Sequence, residues 1–427
     1  MMSPKGRNHC RSLPFDVLVN LPDNVIDVIL THLPYKDAVR TSVLSKKWRH
    51  NWCRLIELTL DESLWETQKD LLNPTAKFRK IIYHLLTLHE GPITKFTLDI
   101  ANLRSSPDIC DFIYFLPRTD IQHLVLHLPW KKLYKFPSSL FRCWQLRHLN
   151  LHNCLIIPPL AFDRFDRLVS LELCRVTVSS EFLGILISHC SLLEQLVLKI
   201  SETSDIIEIN APMLRSFDFM GNISFICLKN VPLLAKASLI SKSSSTEAEN
   251  FDYAKFFESC SALEHLLLNF GYSEFFADEV PTRLPIYLNR VKRFHLPEIM
   301  LKESYKLSCA LCLLRSFPYL EYLKIEVLNV WPVYNEVDSI QESLDFEHFS
   351  NVTFNHLRKV TLVRFGGTTP EMQLIKLLLA KAPMLVKMVI YPVFYLDTRS
   401  EILAELSKFR HASPTAEIDY HMEVKTE

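Results

Sequence analysis

The pattern apolar-x-x-apolar-x-apolar recurs twelve times between Ile93 and Ile390. It reads ITKFTL from Ile93, IQHLVL from Ile121, LRHLNL from Leu146, LVSLEL from Leu168 and LEQLVL from Leu193. It continues as LRSFDF from Leu214, LAKASL from Leu234, LEHLLL from Leu263, VKRFHL from Val291, LEYLKI from Leu320, LRKVTL from Leu357 and LVKMVI from Leu385. The alternation that ends each copy predicts a short strand with one buried face. Ser179–Cys190 and Tyr253–Cys260 have helical spacing and predict segments that return the chain to the next strand. Copy starts lie about 20 to 29 residues apart, with one gap of 37, close to the spacing of leucine-rich repeats. One such coil cannot bury its own leucines, whereas a stack shares a continuous core. The predicted fold class is therefore α/β, a leucine-rich-repeat solenoid with a curved parallel sheet. The Asn or Cys expected three residues past the last apolar position stands only at Cys154 and Asn222, so the repeats are irregular.

A different pattern precedes the repeats. Pro22 suits a first helical turn, Ile26, Ile29, Leu30 and Leu33 follow at helical spacing, and Pro34 ends the run. Val39 and Val43 predict a second short helix, and Ser45 is the expected N-cap of a third carrying Trp48 and Trp52. A unit of this size leaves apolar side chains over, which predicts a partner surface. Leu21-Pro22, Ile26, Ile29-Leu30, Leu33-Pro34 and KDAVRTSVLSKKWRHNW closely resemble the F-box, in the form common in plant proteins. That resemblance implies docking onto a Skp-family adaptor and, through it, a cullin–RING ubiquitin ligase. The implied contacts are Leu21, Pro22, Ile26, Ile29, Leu33, Pro34, Val39, Val43, Leu44 and Trp48.

From Phe354 on, LRKVTLVRFGG and LIKLLLAKAPMLVKMVI resemble the FBD module that ends many F-box/leucine-rich-repeat proteins. The residues predict a strand, a turn at Gly366-Gly367, a helix from about Pro370 burying Leu374, Leu377 and Leu378, and a further strand. The expected domains are a three-helix F-box over 15–55, repeats over 56–353 and an FBD module over 354–427 that closes the stack. The polar tail from Ser413 is expected to fray. The polar stretch Ser241–Asn250 and the acidic insertion Asn329–Asn351 interrupt the repeats.

Composition narrows the chemistry. Lys plus Arg equals Asp plus Glu at 48 each, without the basic footprint of a nucleic-acid binder. Glycines number 7, and neither GxGxxG nor GxxxxGK[ST] occurs. The 11 cysteines lack framework spacing and read as reduced thiols. No uncharged run reaches the roughly 18 apolar residues of a membrane span. The expectation is a soluble chain of the cytoplasm, the nucleus or both. Cys309 and Cys312 form the one CxxC, but no second pair stands near and the flanking leucines read as helix core. No metal, cofactor or catalytic residue is predicted, and a thiol enzyme ranks last among the alternatives.

In each strand, the second and third x positions face away from the leucines. They are His148, Asn150, Ser170, Glu172, Gln195, Val197, Ser216 and Asp218 in early copies. In late copies they are Arg293, His295, Tyr322, Lys324, Lys359, Thr361 and Lys387, and more basic. If the coils stack in register, these form a lane on the concave face suited to an acidic or phosphorylated target. The combined expectation is the target-recognition subunit of a Skp–cullin–F-box ubiquitin ligase, itself non-catalytic. Alternatives are a receptor for a small, hormone-like ligand on the same plan and an interaction scaffold.

Overall fold

The computed structural model describes residues 20–64, 74–103, 109–131, 133–159, 162, 164–200, 205–241, 253–269, 280–328, 352–393 and 399–421. The insertion at 329–351 and all of the polar stretch after Ser241 lie outside them. The chain forms two compact units, Met1–Leu168 and Val169–Glu427.

The first unit opens with helices Asp23–Thr31 and Tyr35–Arg40. Ile26 and Leu30, one turn apart, pack inward with Tyr35, Ala38, Trp48 and Trp52. Tyr35 and Trp52 meet edge to face, with ring centroids 6.0 Å apart. The expected third α-helix does not form. Residues 46–50 are turns, and Asn51–Arg54 is a single 3-10 segment. Each tryptophan is buried by the neighbouring segments, and tertiary packing overrides the weak helical preference of so short a stretch. Four parallel strands follow, Glu57–Leu60, Lys95–Asp99, His123–His127 and His148–His152, paired in that order.

In the second unit ten strands add in chain order, all in parallel. They are Ser170–Cys174, Gln195–Lys199, Ser216–Gly221, Lys236–Ser241, His265–Asn269, Arg293–Ile299, Tyr322–Val327, Lys359–Phe365, Lys387–Pro392 and Glu417–Tyr420. All twelve predicted strands are present across the two units. Not anticipated were two two-stranded parallel pairs, Tyr134–Phe136 with Cys154–Ile156 and Ile207–Asn210 with Ile226–Asn230, and two more strands of the long sheet. Leu55-x-x-Leu58-x-Leu60 carries the same pattern and forms the first strand. Far from fraying, the tail up to Tyr420 forms the last: Glu417–Tyr420 pairs with Lys387–Ile390, and the Ser413 hydroxyl donates to Leu385 O at 2.7 Å.

The helical returns are Pro74–Leu88 and Cys110–Phe115 in the first unit, and Ser180–Ser188, Tyr253–Glu258, Ser304–Ser316, Thr369–Lys381 and Arg399–Leu406 in the second. Ser179 caps the helix Ser180–Ser188 by accepting from Phe182 N. The helix Thr369–Lys381 buries Leu374, Leu377 and Leu378 as expected. The inward apolar residues form the core, for example Leu196, Leu239, Leu268, Phe294, Leu323 and Val360, all at 0% exposure. Two residues after the last apolar position, Asn153, Arg175, Glu298 and Arg364 all have φ between 53° and 61°. At Asn153 and Arg175 this left-handed residue directly follows the strand, which ends at His152 or Cys174. At Glu298 and Arg364 it lies within the strand and makes a bulge, with a shift of pairing register.

Candidate functional site

Two surfaces carry the predicted contacts. On the helical unit, burial sorts the ten candidates. Ile26 and Trp48 are core residues, 0% and 2% exposed, and hold the helices together without reaching the surface. Leu21, Ile29, Leu33, Val39 and Leu44 are half-buried, and Pro22 and Pro34 are exposed. Val43 is 87% exposed, at the end of the 3-10 segment Thr41–Val43. Val25 and Val28 are exposed as well, on the helix Asp23–Thr31. Periodicity located this apolar surplus but could not distinguish its inner members from its outer ones. Lys47 ties the unit together by donating to Leu21 O and facing Asp23 Oδ1 at 3.4 Å.

On the second unit, strand pairing places the late-copy outward residues in register. One row runs Lys236, His265, Arg293, Tyr322, Lys359 and Lys387 across six adjacent strands. The next row holds Ser238, Leu267, His295, Lys324 and Thr361. The lane is less basic than its sequence implies. Glu326 faces His295 Nε2 at 2.9 Å, Lys324 Nζ at 2.8 Å and Arg364 at 3.3 Å. Lys387 is paired with Asp419 at 2.5 Å. Thr361 is 7% exposed and accepts from the Tyr322 hydroxyl at 3.4 Å. Sequence reading had passed over Lys236 and His265, which belong to earlier copies and enter the lane only through the register.

Above the first row lies an open groove of about 400 Å³. Lys236, His265, Arg293, His295 and Tyr322 line it, with Asp218 at its far side. Burial and the nearby Arg293 and Lys236 charges hold His265 below the ordinary histidine value, so its ring is neutral near pH 7. Cys309 and Cys312 lie in the core of the helix Ser304–Ser316, both 0% exposed. Burial pushes both thiols up to about 12, leaving no thiolate there near neutral pH.

An F-box matches residues 18–58. The family described as FBD-associated F-box protein At5g56370, LRR repeats, matches residues 112–325. The F-box/FBD/LRR-repeat protein At1g13570 of Arabidopsis thaliana is 30% identical over 414 residues, covering 94% of this chain and 98% of its own. The chain belongs to the F-box/FBD/LRR-repeat family. The probable FBD-associated F-box protein At1g32375, also of Arabidopsis thaliana, is 23% identical, covering 95% of this chain and 100% of its own. Among solved structures an internalin of Listeria monocytogenes aligns at a TM-score of 0.37 and 11% identity, covering 94% of this chain and 95% of its own. The F-box of this F-box/FBD/LRR-repeat chain implies an adaptor of the Skp type. Among the described residues no helix is long and apolar enough to cross a membrane.

Proposed function

We propose that this F-box/FBD/LRR-repeat chain is the target-selecting subunit of a Skp–cullin–F-box ubiquitin ligase. The F-box docks the adaptor, the repeats hold a target protein, and residues 354–427 act as the FBD module that closes the stack. The observation that carries the reading is the apolar surplus on the helical unit. Val43 at 87% and Val28 at 59% exposure stand on a unit whose own core is already filled by Ile26, Leu30, Trp48 and Trp52. Apolar side chains left in water on so small a unit gain free energy when a partner covers them. The contribution of such a subunit is placement: it holds an acceptor lysine of the target near the loaded conjugating enzyme and makes or breaks no bond itself.

Burial revises the docking set to Leu21, Pro22, Val28, Ile29, Leu33, Pro34, Val39, Val43 and Leu44, with Ile26 and Trp48 acting as its internal support. The test is capture of a purified Skp-type adaptor by full-length protein, compared with a Leu21→Ala/Leu33→Ala/Val43→Glu variant. The expected result is capture by the wild type and a loss of about tenfold or more in the variant, with unchanged circular dichroism. Equal capture by both, or none by well-folded wild type, would sink the docking surface.

A further inference from the structure

Ion pairing divides the cations of the lane into two groups. Burial opposes the ionisation of Glu326, yet Lys324 and His295 hold its carboxyl below the ordinary glutamate range. Its charge is therefore set against Lys324 and Arg364. Asp419 does the same for Lys387. Among the described residues, Lys236, Arg293 and Lys359 have no ion-pair partner. All three stand in the first row, where strand register sets Lys236 against His265 and His265 against Arg293. Neighbouring strands lie about 4.8 Å apart, so Lys236 and Arg293 flank His265 at one strand spacing on either side. Lys236 and Arg293 are exposed, while His265 and Tyr322 are half-buried.

We propose that this row is a phosphomonoester site, in which the phosphoryl group of a target phosphoserine or phosphothreonine sits over His265, between Lys236 and Arg293. The proposal rests on the reading of the repeats as the target-holding face, and names the chemistry that face selects. Four features point to a dianion. A single carboxylate is matched by Arg293 alone, whereas two flanking uncompensated cations match two charges. Arginine presents a planar fork of donors suited to phosphoryl oxygens, and lysine adds a mobile point charge. His265, kept neutral by burial and by these same cations, supplies a ring N–H and takes up a proton as an anion cancels the local field. Asp218, the acid lining the groove, stands two strands from His265 and three from Arg293, at least about 10 Å away at the strand spacing.

The groove favours a peptide over an enclosed metabolite, because it lies open along the row. Beyond Arg293, the Tyr322 ring lies under Lys359 Nζ at 5.5 Å and offers an aromatic wall to the residue beside the phosphate. This places recognition on Lys236, His265, Arg293 and Tyr322. Lys324 and Lys387, equally basic by sequence, fall outside it.

The test uses full-length protein and two fluorescent peptide libraries, one with a central phosphoserine among random residues and one with serine in its place. Anisotropy is expected to show binding of the phosphorylated library only. Lys236→Gln/Arg293→Gln should weaken it by about tenfold or more, and Lys324→Gln/Lys387→Gln should leave it within about twofold. Should the first double variant fail to fold, Arg293→Lys replaces it: a loss of about threefold or more supports the site, and an unchanged affinity overturns it. Equal binding of the two libraries overturns the proposal. So does binding of inositol hexakisphosphate at these residues without binding of the phosphorylated library. Adaptor capture is scored separately, so failure of the F-box reading and failure of the phosphate site are distinct results.

Discussion

One buried carboxyl, Glu371, holds the turn that begins the helix Thr369–Lys381. It is 1% exposed, and its Oε2 accepts from Gly366 N at 2.8 Å and Thr368 N at 3.3 Å. Its other oxygen has no hydrogen-bond partner among the described residues. Burial pushes the carboxyl above the ordinary glutamate value, against the pull of those backbone N–H groups. A carboxyl raised on folding favours the folded state at low pH, and that contribution fades as pH rises through the raised value. Urea midpoints of Glu371→Gln and the native chain should therefore shift in favour of Gln as pH climbs from the ordinary value of 4.5 towards neutrality. A difference independent of pH would contradict this. Glu371→Ala strands two donors and should cost about 1–3 kcal/mol near pH 4.5, the difference from the native chain narrowing as pH rises. At this scale the sequence was legible in part. Helical spacing marked Ile26 and Val43 as members of one apolar set, but 0% and 87% exposure separate them. That difference depends on how the short segments of the unit pack on one another, which no local pattern records.

At the scale of elements, the repeat pattern gave strands because alternation over four or five residues is a local property. The twelve copies need only their own leucines to declare which face is buried. Where the reading failed, nonlocal packing decided. SKKWRHNW has helical spacing but becomes turns and the start of a 3-10 segment, with both tryptophans buried. Glu417–Tyr420 has one aliphatic residue, yet the open edge at Lys387–Ile390 recruits it. The left-handed residues were also invisible, since Arg175, Glu298 and Arg364 occupy positions where glycine would have signalled the conformation. Arg175, at φ 53°, gives a test of that turn. Arg175→Val places a β-branched side chain in a region it rarely enters and should lower stability by about 1–2 kcal/mol in urea unfolding. Arg175→Gly should be tolerated with a smaller change. Equal losses in the two variants would show that the backbone conformation is not what matters there.

For the molecule as a whole, each coil touches mainly its neighbours, so terminal coils guard the core. The last strand covers Met388 and Ile390, both at 0% exposure, and Ser413 anchors it to Leu385. A chain ending at Arg410 should unfold at lower temperature and aggregate on concentration, as an open parallel edge does. An unchanged melting temperature and a monodisperse scattering profile would refute this.

The row Lys236, His265, Arg293, Tyr322, Lys359 and Lys387 has a consequence of another kind. Each of these residues is followed by an inward one, such as Leu266, Phe294, Leu323 or Val360, that carries the packing, so the row's letters face out beside a fixed core. Surface substitutions away from such packing usually change stability by no more than about 0.5 kcal/mol. The row is thus a keyboard on a rigid frame: recognition can be rewritten one strand at a time while the frame keeps its shape.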